Sequence, residues 1–225
     1  MFEQEMLKKM LKDENFEKYY LEVLTGRFTT GSIQLETDSD IADFKNAIMY
    51  SNNLTALKYL LHKDSKLNLE DIKKVAKIVE EDDNDKGFRT GTIFVEGSNI
   101  ERALPRDIYM KMYSLLDNYY NVWDYSGSIF FKEAMFHLQF LLIHPFSDGN
   151  GRTARIITAT NLLKQGLLPG IITNANKKEY CEIIERQNPN ELADFFEKLS
   201  FKEDIVFAKM YENYLKIEKD NSMKL

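Results

Sequence analysis

Apolar residues recur along most of this chain at steps of three and four, the period of one helix face. Leu7, Met10 and Leu11 begin such a stripe, and Phe16, Tyr19, Tyr20, Val23 and Leu24 continue it. Gly26 to Thr30 is expected to end that helix. Asp40 can cap a second helix carrying Ile41, Phe44 and Ile48, and another is expected over 55–62. Asn68 can cap a fourth, with Leu69, Ile72, Val75, Ala76 and Val79 turned inward. The acidic run from Glu80 to Lys86 then reads as a solvated loop. Pro105 suits the first turn of a helix containing Ile108, Met112, Leu115, Leu116 and Tyr119. Ser128 stands ahead of the most apolar helix, through Phe131, Met135, Leu138 and Leu142. A loop over 144–149 and a helix over 150–164 follow, with further helices expected over 177–187, 191–199 and 200–218.

One segment departs from this period. Residues 88–96 are β-prone and lie between Gly87 and Gly97, so they are expected to form a short hairpin. The fold class is therefore all-α, a helical bundle with one small β-hairpin. The chain shows no internal repeat and no low-complexity linker.

The placement of helix breakers sharpens this picture. The chain has 10 Gly and 4 Pro, and all but Gly26, Gly31 and Pro189 lie between residues 87 and 170. Unusual backbone conformations are therefore expected in that stretch. The length, 225 residues, suits a single domain, alone or with a helical extension. Hydrophobic residues at 44% and charged residues at 29% are ordinary for a globular protein and argue against wholesale disorder. A net charge of −6 and a pI near 5.3 exclude a general nucleic-acid binder. Cys181 is the single cysteine, so neither an internal disulfide nor a multi-cysteine zinc site is available. The longest apolar run, Phe140 to Ile143, is too short to span a bilayer. The first residues lack a basic stretch leading into an apolar one, so no signal peptide is expected and the cytoplasm is the expected location.

The stretch from His144 to Arg155 concentrates the chemistry. Gly149 and Gly151 flank Asn150, which lets successive backbone N–H groups converge into a concave nest in front of a helix N-terminus. That geometry binds anions. Arg152 and Arg155 are three apart and share a helix face. Cations there oppose the helix macrodipole, which makes sense when an anion lies between them and the nest. Asp148 beside a phosphate site calls for a neutralising ion, and Mg²⁺ takes one or two carboxylates plus phosphate oxygens. His144, with an unperturbed pKa near neutrality, can accept a proton from a hydroxyl. Phe146, between these polar groups, is expected to anchor the loop in the core. A base, a metal carboxylate, an anion nest and two arginines together point to phosphoryl or nucleotidyl transfer. The spacing does not fit an EF-hand, and no Walker A sequence is present. His62 and His137, single histidines in apolar or unrelated contexts, read as structural.

The pattern His144-x-Phe-x-Asp-Gly-Asn-Gly-Arg-x-x-Arg155 fills every fixed position of the signature of Fic-domain proteins, which this chain resembles. The likeness extends to the preceding helix and to Gly87-Phe-Arg-Thr-Gly-Thr-Ile-Phe-Val95, which is similar to the family's flap hairpin. The resemblance implies a Fic fold, with an N-terminal helical region over 1–86, a core over 87–190 and C-terminal helices over 191–225, packed as one unit. Family members with this motif transfer AMP from ATP to a protein hydroxyl and release pyrophosphate. By position, His144 would deprotonate a target Ser, Thr or Tyr, and Asp148 would hold Mg²⁺. Gly149, Asn150 and Gly151 would cradle the phosphates. Arg152 would support the leaving group, and Arg155 would contact the γ-phosphate. Tyr180 and Asn188 would border the adenosine. Ile93, Phe94, Val95 and Glu96 on the flap would align an unknown target protein by strand addition. Family kinases carry lysine where Gly151 stands, so Gly151 favours AMP transfer.

Many Fic proteins also carry an inhibitory Ser/Thr-x-x-x-Glu followed by Gly or Asn, whose glutamate pairs with the motif's second arginine. Ser32-Ile-Gln-Leu-Glu36 has that spacing, with Thr37 in place of the Gly or Asn. The resemblance thus implies ATP and a target protein as partners, self-modification as a side reaction, and a homodimer as an assembly open to this class. No nucleic acid or membrane partner is expected. Two readings compete with AMP transfer: removal of AMP or another phosphate-group transfer at the same site, and a helical interaction module that binds nucleotide without chemistry.

Overall fold

Two helices with apolar or small residues on nearly every face form the centre of the molecule, α5 (Ile129–Ile143) and α6 (Asn150–Lys164). A helix apolar all round must be covered on several sides, and the other helices do so. The structure is a computed structural model. It describes residues 7–8, 10–36, 44–80, 87–123 and 127–222, and the side chains of residues 32–34, 36, 44–46, 218 and 220–222 lie outside that description.

The covering helices are α1 (Glu14–Glu36), α2 (Phe44–Leu61), α3 (Leu69–Glu80), α4 (Ile108–Asp117), α7 (Asn174–Arg186) and α8 (Pro189–Ser222). Helix α2 packs on α6, and α3 packs against both. Helix α8 lies along α5, and α4 covers the remaining side of α5. Phe136, Phe140, Ala154, Ile156 and Ile157, all fully buried, fill the interior between α5 and α6. A second apolar cluster joins the first half of α1 to the second half of α8. There Phe16 meets Phe207, Tyr211 and Tyr214 edge-on, with ring centroids 5.5, 5.1 and 5.2 Å away. Such edge-to-face contacts add to the burial of each ring.

Several expected boundaries change. Helix α1 does not end at Gly26 but continues to Glu36. Gly31 is there for close approach: a side chain at that position would run into the backbone carbonyl of Ile172. Tertiary packing thus overrides the breaker signal. The helices expected over 41–48 and 55–62 are one helix over its described length, α2; Asp40 and Ile41 lie outside the described residues. The helices expected over 191–199 and 200–218 also fuse, into the 34 residues of α8. Leu199 and Ser200 are both buried at the junction, so no turn is exposed there.

Other signals appear as read. Asn68 accepts a hydrogen bond from the Asp71 N–H at 3.0 Å, and Asp71 accepts one from the Asn68 N–H at 3.0 Å, a reciprocal box at the start of α3. Ser128 precedes α5, but its side chain makes no capping bond. No residue among those described is in a strand. The segment expected to form a hairpin is instead an extended loop closed by a turn, with the Ser98 N–H donating to the Val95 carbonyl at 3.1 Å. No helix of the described residues is long and apolar enough to cross a membrane.

Candidate active site

The site is built where α5 ends and α6 begins. Helix α5 closes on His144, whose backbone is left-handed (φ 52°, ψ 63°) and whose N–H donates to the Phe140 carbonyl at 2.9 Å. A non-glycine residue in this region is uncommon and needs support. Arg89 supplies it. This buried guanidinium donates to the carbonyls of His144 at 2.7 Å, Ile143 at 3.4 Å and Gly91 at 2.7 Å, and also to that of Ala103. The Arg89 N–H also donates to the Pro145 carbonyl at 2.9 Å. Arg89 therefore satisfies carbonyls that the end of α5 leaves unpaired and ties the flap to the base. These bonds go to one side chain, and the described flap residues form no ladder.

Between the helices, Phe146 is fully buried against Phe88 and Phe140, with ring centroids 5.7 and 6.4 Å away. Asn150 grips the same residue. Its carboxamide accepts from the Phe146 N–H at 2.9 Å and donates to the Phe146 carbonyl at 2.8 Å. The Asn150 side chain thus shapes the loop, and only its backbone is left for any phosphate contact. Gly149 precedes α6 with φ 76°, a conformation suited to glycine. The helix start behind it leaves N–H groups and a positive dipole end facing outward.

These elements open on a cleft of about 500 Å³. His144, Asp148, Gly149, Asn150, Gly151, Arg152, Arg155 and Tyr180 all line it, together with Val95 and Glu96 of the flap. Ile93 and Phe94 do not, and the Phe94 side chain is 95% exposed. Asn188 is also outside the lining. Its side-chain oxygen accepts from the N–H groups of Asn190 at 3.0 Å and Glu191 at 3.4 Å, at the start of α8. Ser32 and Glu36 fall in the last turns of α1, but their side chains lie outside the described residues. Their neighbour Leu35 lines the cleft, so the end of α1 reaches the site.

The electrostatics suit a base beside an anion pocket. Burial first, then the Arg102 guanidinium, pushes His144 down to about 4. It is therefore neutral at physiological pH, further from titration than an exposed histidine. Its Nδ1 lies 3.3 Å from the Leu141 carbonyl. A carbonyl only accepts, so Nδ1 carries the proton and Nε2 keeps its lone pair. Arg102 lines the cleft and is held by the Leu141 carbonyl at 3.2 Å and Ser98 Oγ at 2.8 Å. Tyr180 is buried and joined through its hydroxyl to His137 Nε2 at 2.8 Å; burial raises it to about 12. His137, itself pushed down to about 3 by burial, is a core residue bonded to Thr158 at 3.0 Å, in line with its structural reading.

Asp148 is the carboxylate expected to hold a metal. Its side chain is 76% exposed, and one oxygen accepts from the Gly149 N–H at 2.6 Å. No group of three His, Cys, Asp or Glu side chains converges among the described residues. One exposed carboxylate beside an anion nest fits Mg²⁺, which is commonly held by one or two carboxylates plus substrate phosphates.

Glu80 is a correction to the sequence reading. It is not part of a solvated loop but the last described residue of α3, with its carboxylate 2.5 Å from Arg152 Nη2 and only 11% exposed; residues 81–86 lie outside the described ones. The signal was present in the pattern. Ile72, Ala76 and Glu80 stand at i, i+4 and i+8, so Glu80 continues the inward stripe. Arg89 and Arg102 were also not singled out, because their partners are backbone carbonyls distant in sequence.

Comparison with known proteins agrees with this geometry. The Fic/DOC family model matches residues 66–162. A relative from Aedes aegypti, "Protein adenylyltransferase Fic", is 27% identical over 181 residues, covering 77% of this chain and 34% of its own length. The chain thus spans about a third of that relative. Among solved structures, a Fic domain containing signaling protein from Bacteroides thetaiotaomicron is similar with a TM-score of 0.69 at 19% identity, covering 88% of this chain and 92% of that one. Fic-1 from Caenorhabditis elegans is similar with a TM-score of 0.63 at 17% identity, covering 96% of this chain and 68% of that one. The motif at the junction of α5 and α6 thus lies within the segment, residues 66–162, that matches the Fic/DOC family model, and the fold is shared with these structures.

Proposed function

We propose that this protein is a protein adenylyltransferase, moving AMP from ATP to a Ser, Thr or Tyr hydroxyl of a target protein and to itself. One observation carries the reading: a neutral His144 with an accepting Nε2 shares a single cleft with the Gly149–Gly151 nest, Arg152 and Arg155. In this reading His144 takes the hydroxyl proton as the oxygen attacks the α-phosphate, and pyrophosphate leaves. Backbone N–H groups of the nest bind phosphate oxygens, and the two arginines offset the charge that develops. Tyr180 borders the adenosine. Asp148 would hold Mg²⁺, which when bound neutralises phosphate charge. Gly151 supports this orientation, because a side chain there would press on the Arg155 guanidinium, 3.0 Å from the position of its first carbon. The test is mass spectrometry of the purified protein after incubation with ATP and Mg²⁺. An adduct of the mass of AMP on a hydroxyl side chain supports the reading, and a phosphate adduct overturns it.

The pH dependence follows from the base. Protonated His144 cannot accept a proton, so activity is lost as pH falls through its pKa. With His144 held near 4, the acid limb of kcat/KM is expected near that value rather than at about 6.5, the usual histidine range. Arg102→Gln removes one of the groups that hold it down, so the limb should move toward neutrality. A profile already falling at about pH 6.5 in the parent protein would contradict the role given to burial.

We also propose that Ser32 to Glu36 is a brake on this activity, since the end of α1 reaches the cleft through Leu35. Glu36→Gly is expected to raise self-AMPylation. Unchanged labelling would remove the brake from the account.

A further inference from the structure

We propose that Glu80 is a positioning residue for the nucleotide site, acting through Arg152; the proposal rests on the reading of the cleft as a nucleotide site. The two side chains are each about nine-tenths buried, at 11% and 12% exposure, and their closest atoms are 2.5 Å apart. Each charge stands where its surroundings disfavour it. Glu80 is the last described residue of α3, and burial there removes its carboxylate from water. Arg152 is in the first turn of α6, at the positive end. A buried charge is costly without a partner, so the pair accounts for both positions.

The direction of the effect comes from where Glu80 sits. It does not line the cleft, whereas Arg152 and Gly149 do. A side chain added at Gly149 would run into the Glu80 carboxylate, which places Glu80 directly against the nest and outside the cleft lining. From there it holds Arg152 without contesting the space that a phosphate would occupy. Asp148, 3.9 Å from the same Arg152 nitrogen, is on the exposed side. Arg152 is thus held between an exposed carboxylate and a buried one. Without Glu80 the guanidinium loses a buried anion 2.5 Å away, at a helix end that repels it. The same contact joins α3 to the nest, seven residues before the flap begins at Gly87.

The experiment is a double-mutant cycle on Mg-ATP binding, read by calorimetry on the full chain. Glu80→Gln is expected to weaken Mg-ATP binding about tenfold, with Glu80→Asp recovering part of the loss because it keeps the charge. In an Arg152→Ala background, Glu80→Gln is expected to cost nothing further. Thermal melting is followed in parallel, so that a variant that fails to fold is recognised and the Glu80→Asp arm decides. Unchanged affinity in a folded Glu80 variant, or a loss that adds in full to that of Arg152→Ala, would overturn the proposal. A parent protein that binds no ATP would instead overturn the reading of the site, and this proposal with it. A parent that binds ATP without transferring AMP would leave the cycle valid and overturn only the reaction.

Discussion

Replacing His144 with alanine is expected to reduce AMP transfer by about 10²–10⁴-fold while leaving ATP binding within a few-fold of the parent. The size is that of removing a positioned general base. The split follows from the geometry. His144 lines the cleft at the end of α5, whereas the nest and both arginines belong to the start of α6. The substitution therefore removes the proton acceptor without removing an anion donor. Alanine, like the histidine it replaces, carries a Cβ in this left-handed backbone, and Arg89 still clamps the carbonyls around it. The measurement is single-turnover transfer from α-labelled ATP beside ATP binding. Transfer at the parental rate would refute His144 as the base. Loss of ATP binding together with transfer would mean that His144 shapes the nest rather than acting on the hydroxyl.

Phe146→Ala is expected to be the most destabilising single change in the site, by about 3–5 kcal/mol, the usual cost of emptying a buried phenylalanine position. Phe146 is fully buried and touches Phe88 from the flap base and Phe140 from α5. Its backbone is gripped at both polar groups by Asn150, the first residue of α6. The ring therefore joins three parts of the site that are far apart in sequence. A chain of this size shifts its Tm by about 2–4 °C for each kcal/mol, so a fall of roughly 6–20 °C is expected in a melt. Phe94→Ala is the control: that side chain is 95% exposed, and its melt should match the parent. A Phe146→Ala shift no larger than that of Phe94→Ala would mean that the loop does not depend on this anchor. Transfer should fall in the Phe146 variant at temperatures where it remains folded, because the Gly149 turn is set by the same loop.

The contrast between Phe146 and Glu80 shows which features of this site can be read from a chain. Phe146 is apolar inside a polar motif, so its place in the core was evident from residue type. Glu80 was hidden because composition grouped it with the acidic residues that follow it, although helical spacing put it on the inward face of α3. Arg89 gave no such signal. Its partners are the carbonyls of Gly91, Ala103, Ile143 and His144, and carbonyls are common to every residue. The flap differs for the same reason, since β-prone residues take a ladder only where a second strand is available to them.

The sequence by itself determined the all-α class, the start of α3, the boundaries of α6 and the run of residues from His144 to Arg155 that meets at the cleft. These depend on local rules: period, capping residues and the order of groups along a short loop. It also placed Phe146 in the core. Tertiary structure alone decided that α1 runs through two glycines, that α8 continues past Ser200, and that Glu80 and Arg89 belong to the site. It also set His144 well below its ordinary pKa. Each of these depends on surfaces brought together from distant parts of the chain, where close backbone approach, burial and paired charges outweigh the preference of any single residue.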